Sequence, residues 1–502
     1  MIRRGFWISS VVLAMLAAAS SLAANAQARQ SGGETVRHAA RDRGQQMRAL
    51  HQSLRAAEPR GIEERALTVT LSFAEKALAE PVSEGRYRVG VSKSVSVEFD
   101  ASLATVSFGV RELRADGEVT WSGVVRSPGA SALRLHFSQF DLPEGAELYV
   151  YGPERQAFGP YTGRGPLDEG ELWTNTIRGE EMRLRLRLPS GAPRAKLVLA
   201  DLGYMGRAFP RTLAEVATFC PANASCVVNA ACATTIPAAV KPAQEAVADM
   251  LFASGAYYYL CTGGLLADSD PNSDVPYFLT ANHCISKRGE ASSLETYFDY
   301  VTDCSSPNCT VPFDQDPRNP DTLGAVIRST NRTGDYTLLQ LSSVPAAKDG
   351  VQQYLGWTAD AVANTNGVRL YRFSHPQGSP QAYSEQVVDI TKPTCGSWPR
   401  GSWIYSRDVL GATEGGSSGS PVLNGSGQVV GQLSGACGTN VNDVCDAIHN
   451  ATVDGAFASY FDQVAAFLGG GGQCRPKGQS CSMDSECCSN SCRGKAGAKT
   501  CK

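Results

Sequence analysis

At 502 residues the chain exceeds the ~100–200 of an ordinary domain, so more than one folding unit is expected. A net charge of −3 leaves no basic excess to hold nucleic acid, and no long run of like charge marks an interaction tail. With 50 glycines and only 19% charged residues, the composition suits loop-rich β domains and argues against a helical bundle or a disordered chain.

The first residues read as a secretory signal peptide over 1–26: Arg3 and Arg4, an apolar stretch from Phe6 to Leu16, then Ala24-Asn25-Ala26. The apolar stretch falls short of the ~20 residues of a membrane span, which favours export of a soluble protein over a membrane anchor. The even count of 16 cysteines then predicts disulfides, as expected outside the cell. The cysteines form no paired C-x-x-C units and the six histidines show no ligand spacing, so neither metal nor cofactor is expected.

Residues 27–85 are polar and helix-prone, a leader helix or a partly disordered segment. From 86 to 211 short runs alternate apolar and polar residues, among them Val95–Phe99, Leu133–Phe137, Leu148–Tyr151 and Leu184–Leu188. Turn signals such as Asp116-Gly117 and Pro189-Ser190-Gly191 separate them, which predicts an antiparallel sandwich. That stretch has no cysteine, whereas residues 212–468 hold ten, and the contrast marks a domain boundary. An amphipathic pattern over Ala456–Leu468 predicts a closing helix, and glycines in 469–473 predict a flexible linker. Residues 474–502 are too few to bury a sufficient core and carry six cysteines, so crosslinks must hold them. Sequence alone allows fifteen pairings of these six.

The chemistry lies in three separated motifs. In Gly415-Gly416-Ser417-Ser418-Gly419-Ser420-Pro421, small residues permit a tight turn around a serine. A serine hydroxyl needs a base to take its proton, and the oxygen that becomes negative needs waiting N–H donors, for which Gly416 and Ser418 are the natural pair. In Leu279-Thr280-Ala281-Asn282-His283-Cys284 a histidine follows an apolar strand; a Cys261–Cys284 bridge would pin its loop, as a general base requires. In Gly334-Asp335-Tyr336-Thr337-Leu338 an acid opens an apolar strand, placed to orient an imidazole. Each motif alone is more often a turn, a core histidine or a cap. Together, in the order His283, Asp335, Ser418, they predict a catalytic triad. A protease fold that binds without cleaving is the alternative, and a Ser418→Ala comparison separates the two.

Residues 220–468 resemble the bacterial lysyl endopeptidase branch of the trypsin-like proteases. The resemblance rests on Thr280-Ala281-Asn282-His283-Cys284, the Asp335 strand, Gly356-Trp357, His375-Pro376, Thr413-Glu414 before the serine motif, Gly431-Gln432-Leu433, and the Cys226-x5-Cys232 spacing. It implies an all-β fold of two six-stranded antiparallel barrels with the triad between them, acting as a monomer on protein or peptide substrates. It also implies that the sandwich is a propeptide, and that Cys226 pairs with Cys437 and Cys232 with Cys304. Cys220, Cys309, Cys395 and Cys445 are left without assigned partners. The tail resembles a knottin, which implies Cys474–Cys488, Cys481–Cys492 and Cys487–Cys501.

Ser417 stands where digestive trypsins carry an aspartate that pairs with a new N-terminus, so that ion pair cannot form. Latency is therefore expected from the propeptide, as an intramolecular inhibitor or folding aid, with Arg207 and Arg211 as candidate processing sites; N-terminal sequencing of the secreted protein tests this. The position six before the nucleophile is Ala412, not an acid. Asp454 is the first candidate for a pocket carboxylate and equally a turn acid before Gly455; Asp443, Asp446 and Glu414 come after it. If Asp454 lines the pocket, lysine or arginine is expected at P1. Ser434 and Gly435 are expected to offer backbone groups to extended substrate.

Overall fold

The structure, a computed structural model, describes residues 29–31, 34–84, 86–99, 107–153, 155–206, 223–270, 272–302, 304, 320–345, 352–469, 478–481, 492–494 and 499–501. The expected signal peptide, Arg207, Arg211, Cys220, Cys309, Cys474, Cys487 and Cys488 lie outside the described residues, and with them the expected Cys474–Cys488 and Cys487–Cys501 pairs.

The alternating runs after residue 86 fold as a sandwich, because alternation sends every second side chain to one face. One sheet holds Val119–Arg126, Glu181–Leu188 and Glu147–Tyr151. The other holds Ala132–Asp141, Lys196–Met205 and Arg86–Phe99. Trp121, Leu133, Phe137, Leu148, Leu184 and Leu199 are buried between the two. The sandwich also takes in residues the sequence had assigned to the leader. Val69, Leu71 and Ala79 are buried in its core, Leu67–Thr68 pairs with Val125 and Arg126, and a helix over Phe73–Leu78 is capped by Ser72 and Glu75. Before it, Glu34–Ala56 is a helix.

Two antiparallel barrels follow, giving the trypsin-like double-barrel fold. In the first, Val247–Ser254, Tyr257–Leu266, Tyr277–Ala281, Tyr336–Leu341 and Ala325–Asn331 pair in that order, with Glu295–Tyr297 on the far edge. In the second, Ala382–Val388, Arg369–Ser374, Pro421–Leu423, Val429–Gly438, Asn450–Ala456 and Trp403–Leu410 form a ring, closed by pairing of Ala382–Val388 with Trp403–Leu410. The predicted helix forms over Phe457–Leu468 and buries Phe457, Tyr460, Val464 and Leu468. It ties the barrels together: Tyr460 stacks on Tyr336 of the first at 3.9 Å between ring centres, while Phe457 lies 5.9 Å from Trp357.

The sandwich is not an appendage. Arg86–Phe99 pairs antiparallel with Tyr257–Leu266, so one sheet runs from the N-terminal domain into the first barrel. Tyr87, Val89, Ala132 and Met205 of the sandwich share a core with Leu251, Tyr258, Leu260 and Tyr297 of the barrel.

The disulfides require one correction. Cys261–Cys284, Cys232–Cys304 and Cys481–Cys492 are bonded. Cys226 is bonded to Cys445, and Cys437 to Cys395, with Cα separations of 5.7 and 5.9 Å; the expected Cys226–Cys437 pair is absent. Cys437 is still on the strand Val429–Gly438, buried against Trp403, Tyr405 and Val453. Cys445 lies further on, in the loop between that strand and Asn450–Ala456, from which it reaches Cys226.

Candidate active site

His283 follows the fully buried strand Tyr277–Ala281, and the Cys261–Cys284 bond fixes the loop beside it to the neighbouring strand. Asp335 opens the next strand at φ +47, a turn geometry that an aspartate tolerates. Its carboxylate grips His283 twice, accepting the backbone N–H at 2.8 Å and facing ring Nδ1 at 2.7 Å. Its carbonyl accepts the N–H of Asn282 at 3.0 Å. Gln432, on the second barrel, donates to the carbonyls of Gly334 and Asp335 at 2.9 and 3.1 Å, and Tyr460 donates to Gln432 in turn. The acid is thus held from both barrels. The remaining ring nitrogen, Nε2, is covered and holds no hydrogen bond among the described residues.

Ser418 comes from the opposite barrel and is 8% exposed. Its carbonyl accepts the N–H of Thr262 at 2.8 Å and lies 3.7 Å from Cys284 Sγ, which sets the serine loop against the histidine loop. Ser418 Oγ and His283 Nε2 share no hydrogen bond in this resting arrangement. Such contacts are often long without substrate and tighten when it binds.

The loop ahead of Ser418 is fixed by its carbonyls. Gly415 accepts from the N–H of Gln377 at 2.5 Å. A trans peptide sets C=O and N–H on opposite sides, so this bond aims the Gly416 N–H the other way. Gly416 sits at φ +97, and a Cβ there would strike the His375 carbonyl and Gln377 N at 2.8 Å, so only glycine fits. The Gly416 carbonyl is held by Thr262 Oγ1 at 2.8 Å, and that oxygen accepts from His375 N at 3.1 Å. Among the described residues no acceptor takes the N–H of Gly416 or Ser418. Two free amides beside a serine and a carboxylate-oriented imidazole can receive a proton and a developing oxyanion, which is acyl-transfer chemistry.

Ser417 fits the absence of an ion pair at that position. Fully buried, it lies 3.1 Å from Ser374 Oγ. Glu414 accepts from Asn223 Nδ2 and Ala224 N at 2.7 and 3.1 Å, so it is spent on the start of the catalytic region and is no pocket acid. Asp446 is spent within its own loop on Asn440 and His449, and Asp443 caps Cys445 N.

Asp454 is fully buried, and its Oδ1 pairs with Arg372 Nη2 at 2.6 Å. Burial raises its carboxyl above the usual range and Arg372 opposes that. Oδ2 has no partner among the described residues. The turn-acid alternative does not apply, since Asp454 sits within a strand, opposite Leu433 and Ile404. The partner Arg372 carried no signal in the sequence: it shares the short strand Arg369–Ser374 with a second arginine, and nothing local separates the buried one from the other. Ser434 is the extra residue of a bulge, since Leu433 pairs with Asp454 and Gly435 already with Val453. It lines an open cleft of about 1080 Å³ together with His283, Asp335, Glu290, Trp398, Trp403 and Arg86. Gly435 lies near Trp398.

Arg86 comes from the N-terminal domain. It donates to the Cys284 carbonyl at 3.3 Å, stacks 4.0 Å from the Tyr259 ring centre and approaches Glu290 at 3.5 Å. On the same hairpin, a side chain at Gly415 would collide with Ser83, and Tyr87 Oη lies 3.4 Å from Gln377. The N-terminal domain therefore reaches both the histidine loop and the serine loop.

Fold and site together define a trypsin-like serine endopeptidase. The family model for the lysyl endopeptidase N-terminal domain matches residues 66–200, and the one for the C-terminal domain matches residues 221–448. Between them they span well over half of the chain, which belongs to the lysyl endopeptidase family. In outline the chain is similar to the M. tuberculosis protease Rv3671c in its active form, at 15% identity over 49% of this chain and 92% of that one, with a TM-score of 0.32. It is similar also to the serine endoprotease from Yersinia pestis, at 14% identity, 45% and 63% coverage and a TM-score of 0.30. A third is the HtrA-type protease AlgW, at 15%, 46% and 62%, with a TM-score of 0.31. The family placement rests on the two domain matches. No helix among the described residues is long and apolar enough to cross a membrane.

Proposed function

We propose that this serine endopeptidase is made as a secreted precursor and cleaves peptide bonds through an acyl-enzyme on Ser418. His283 takes the hydroxyl proton and returns it to the leaving amine. Asp335 holds the ring and favours imidazolium, and the N–H groups of Gly416 and Ser418 receive the oxyanion. The observation that carries this reading is the double grip of Asp335 on His283, at 2.8 and 2.7 Å, opposite a serine loop in which no acceptor among the described residues takes the Gly416 and Ser418 amides. Ser418→Ala is expected to lower kcat on a peptide substrate about a million-fold without changing the melting temperature. Undiminished cleavage by that variant would sink the reading.

The N-terminal domain is then the propeptide. Its strand Arg86–Phe99 fills the edge of Tyr257–Leu266, Arg86 lines the cleft and Ser83 and Tyr87 reach Gly415 and Gln377, where an extended substrate would compete for the same edge. Ser434, freed by its bulge, and Gly435 supply backbone groups to the other half of the substrate. A lysine or arginine at P1 would place its cation near the unpartnered Asp454 Oδ2. Peptides released from a denatured protein, read by mass spectrometry, test the preference; termini dominated by Phe or Ala would remove it.

A further inference from the structure

Behind the serine loop lies a group of charged side chains whose count does not balance. Fully buried Arg372 donates through Nη2 to Asp454 and through Nη1 to the Ser420 carbonyl and hydroxyl at 3.2 and 3.1 Å, two residues past the nucleophile. Asp408 enters from the strand Trp403–Leu410. Ser406 pairs with Thr452 and Ile404 with Asp454, so alternation puts Asp408, Thr452 and Asp454 on one face. Thr452 Oγ1 donates to Asp408 Oδ1 at 2.9 Å. Three polar atoms here are buried without a hydrogen-bond partner among the described residues: Asp454 Oδ2, Arg372 Nε and Gln386 Oε1. Such atoms are costly unless something arrives to meet them.

One guanidinium and one carboxylate cancel; a second carboxylate leaves one unmatched negative charge. We propose that Asp408 is a specificity-determining acid. Ionised beside the Arg372–Asp454 pair, it gives the pocket floor the net charge that admits a lysine or arginine side chain; protonated, it leaves a neutral floor with no such preference. This rests on the reading that Ser418 is the nucleophile and that the pocket behind it takes a cation. Burial, opposed by the Thr452 bond and by Arg372, pushes the Asp408 carboxyl up to about 6. Asp454 adds to the rise. The other charged groups on these strands are Arg369, paired with Glu385, and the exposed Arg407. Alternation points all three to the opposite face.

The test compares two peptide substrates that differ only at P1, lysine against norleucine, with the active protein between pH 4.5 and 8. Both need the same imidazole, so the ratio of their kcat/KM values cancels its titration. The ratio is expected to rise about 10–100-fold with a midpoint near pH 6, the span of one charge-assisted hydrogen bond. In Asp408→Asn it is expected to be low and flat. A lysine preference that is independent of pH in the unaltered protein, or retained in Asp408→Asn, overturns the role of Asp408 alone. A lysine substrate no better than norleucine at every pH removes the cationic pocket and this inference with it. Full activity in Ser418→Ala would instead strike the underlying assignment of the nucleophile.

Discussion

In the second barrel Ala382–Val388 and Trp403–Leu410 pair and close the sheet, whereas in the first Tyr257–Leu266 presents an edge that Arg86–Phe99 occupies. A free edge is a template for another strand. The closed barrel spends its polar groups inward: Arg372 on Asp454 and Ser420, Thr452 on Asp408, Ser374 on Ser417. The open barrel spends them across a seam. Glu295, fully buried, accepts from Asn175 Nδ2 and Thr176 N of the N-terminal domain at 2.9 and 3.0 Å, with Arg134 at 3.6 Å. Closure suits a pocket that must stay fixed, and an open edge suits a surface on which chains come and go.

That contrast can be broken at its strongest point. Arg372→Leu leaves the Asp454 carboxylate buried without a partner and should cost about 3–5 kcal/mol, with much of it restored when Asp454 is replaced as well. Urea unfolding in the Ser418→Ala background measures this, and the loss should be the same with or without the N-terminal domain. Next is a pH effect. His375 is fully buried beside Tyr300, and burial lowers it from 6.5 to about 4. Between those values the unfolded chain binds the proton and the folded chain does not, so stability is whole above about pH 6.5 and falls toward pH 4 by about 3 kcal/mol. His375→Gln should flatten that slope in a series of melts. The smallest effect belongs to the seam. Glu295→Gln should cost about 1.5–3 kcal/mol in the unprocessed chain by weakening hydrogen bonds to a charged acceptor. Unlike Arg372→Leu, it should do little to the processed enzyme, and an equal loss in both would dissolve the distinction between the barrels.

The local parts of the fold were legible because they obey local rules. Alternation in Leu133–Phe137 and Leu184–Leu188 announces strands, the spacing of Phe457, Tyr460, Val464 and Leu468 announces a helix, and the serine motif announces a turn only glycine can make. What depends on partners distant in sequence was not legible. Nothing in Arg86–Phe99 says that it pairs with a strand some 170 residues later. Cys226 chooses between Cys437 and Cys445 by where the intervening loop folds, which no spacing along the chain sets. Arg372 and Asp408 stayed hidden for the same reason: each shares its strand with a second charged residue, Arg369 or Arg407, and only closure of the barrel turns one of each pair toward Asp454.

If the N-terminal domain is the proposed propeptide, the sheet that crosses from the sandwich into the first barrel gives the molecule a storable state. Cutting the chain anywhere between residues 206 and 223 would sever one backbone bond and leave the ladder between Arg86–Phe99 and Tyr257–Leu266 intact. Cleavage and release thus become separate events, the second governed by the unzipping of a strand. On the proposed propeptide role, a cleaved complex would stay silent until a competing chain or a change of solvent peels it apart.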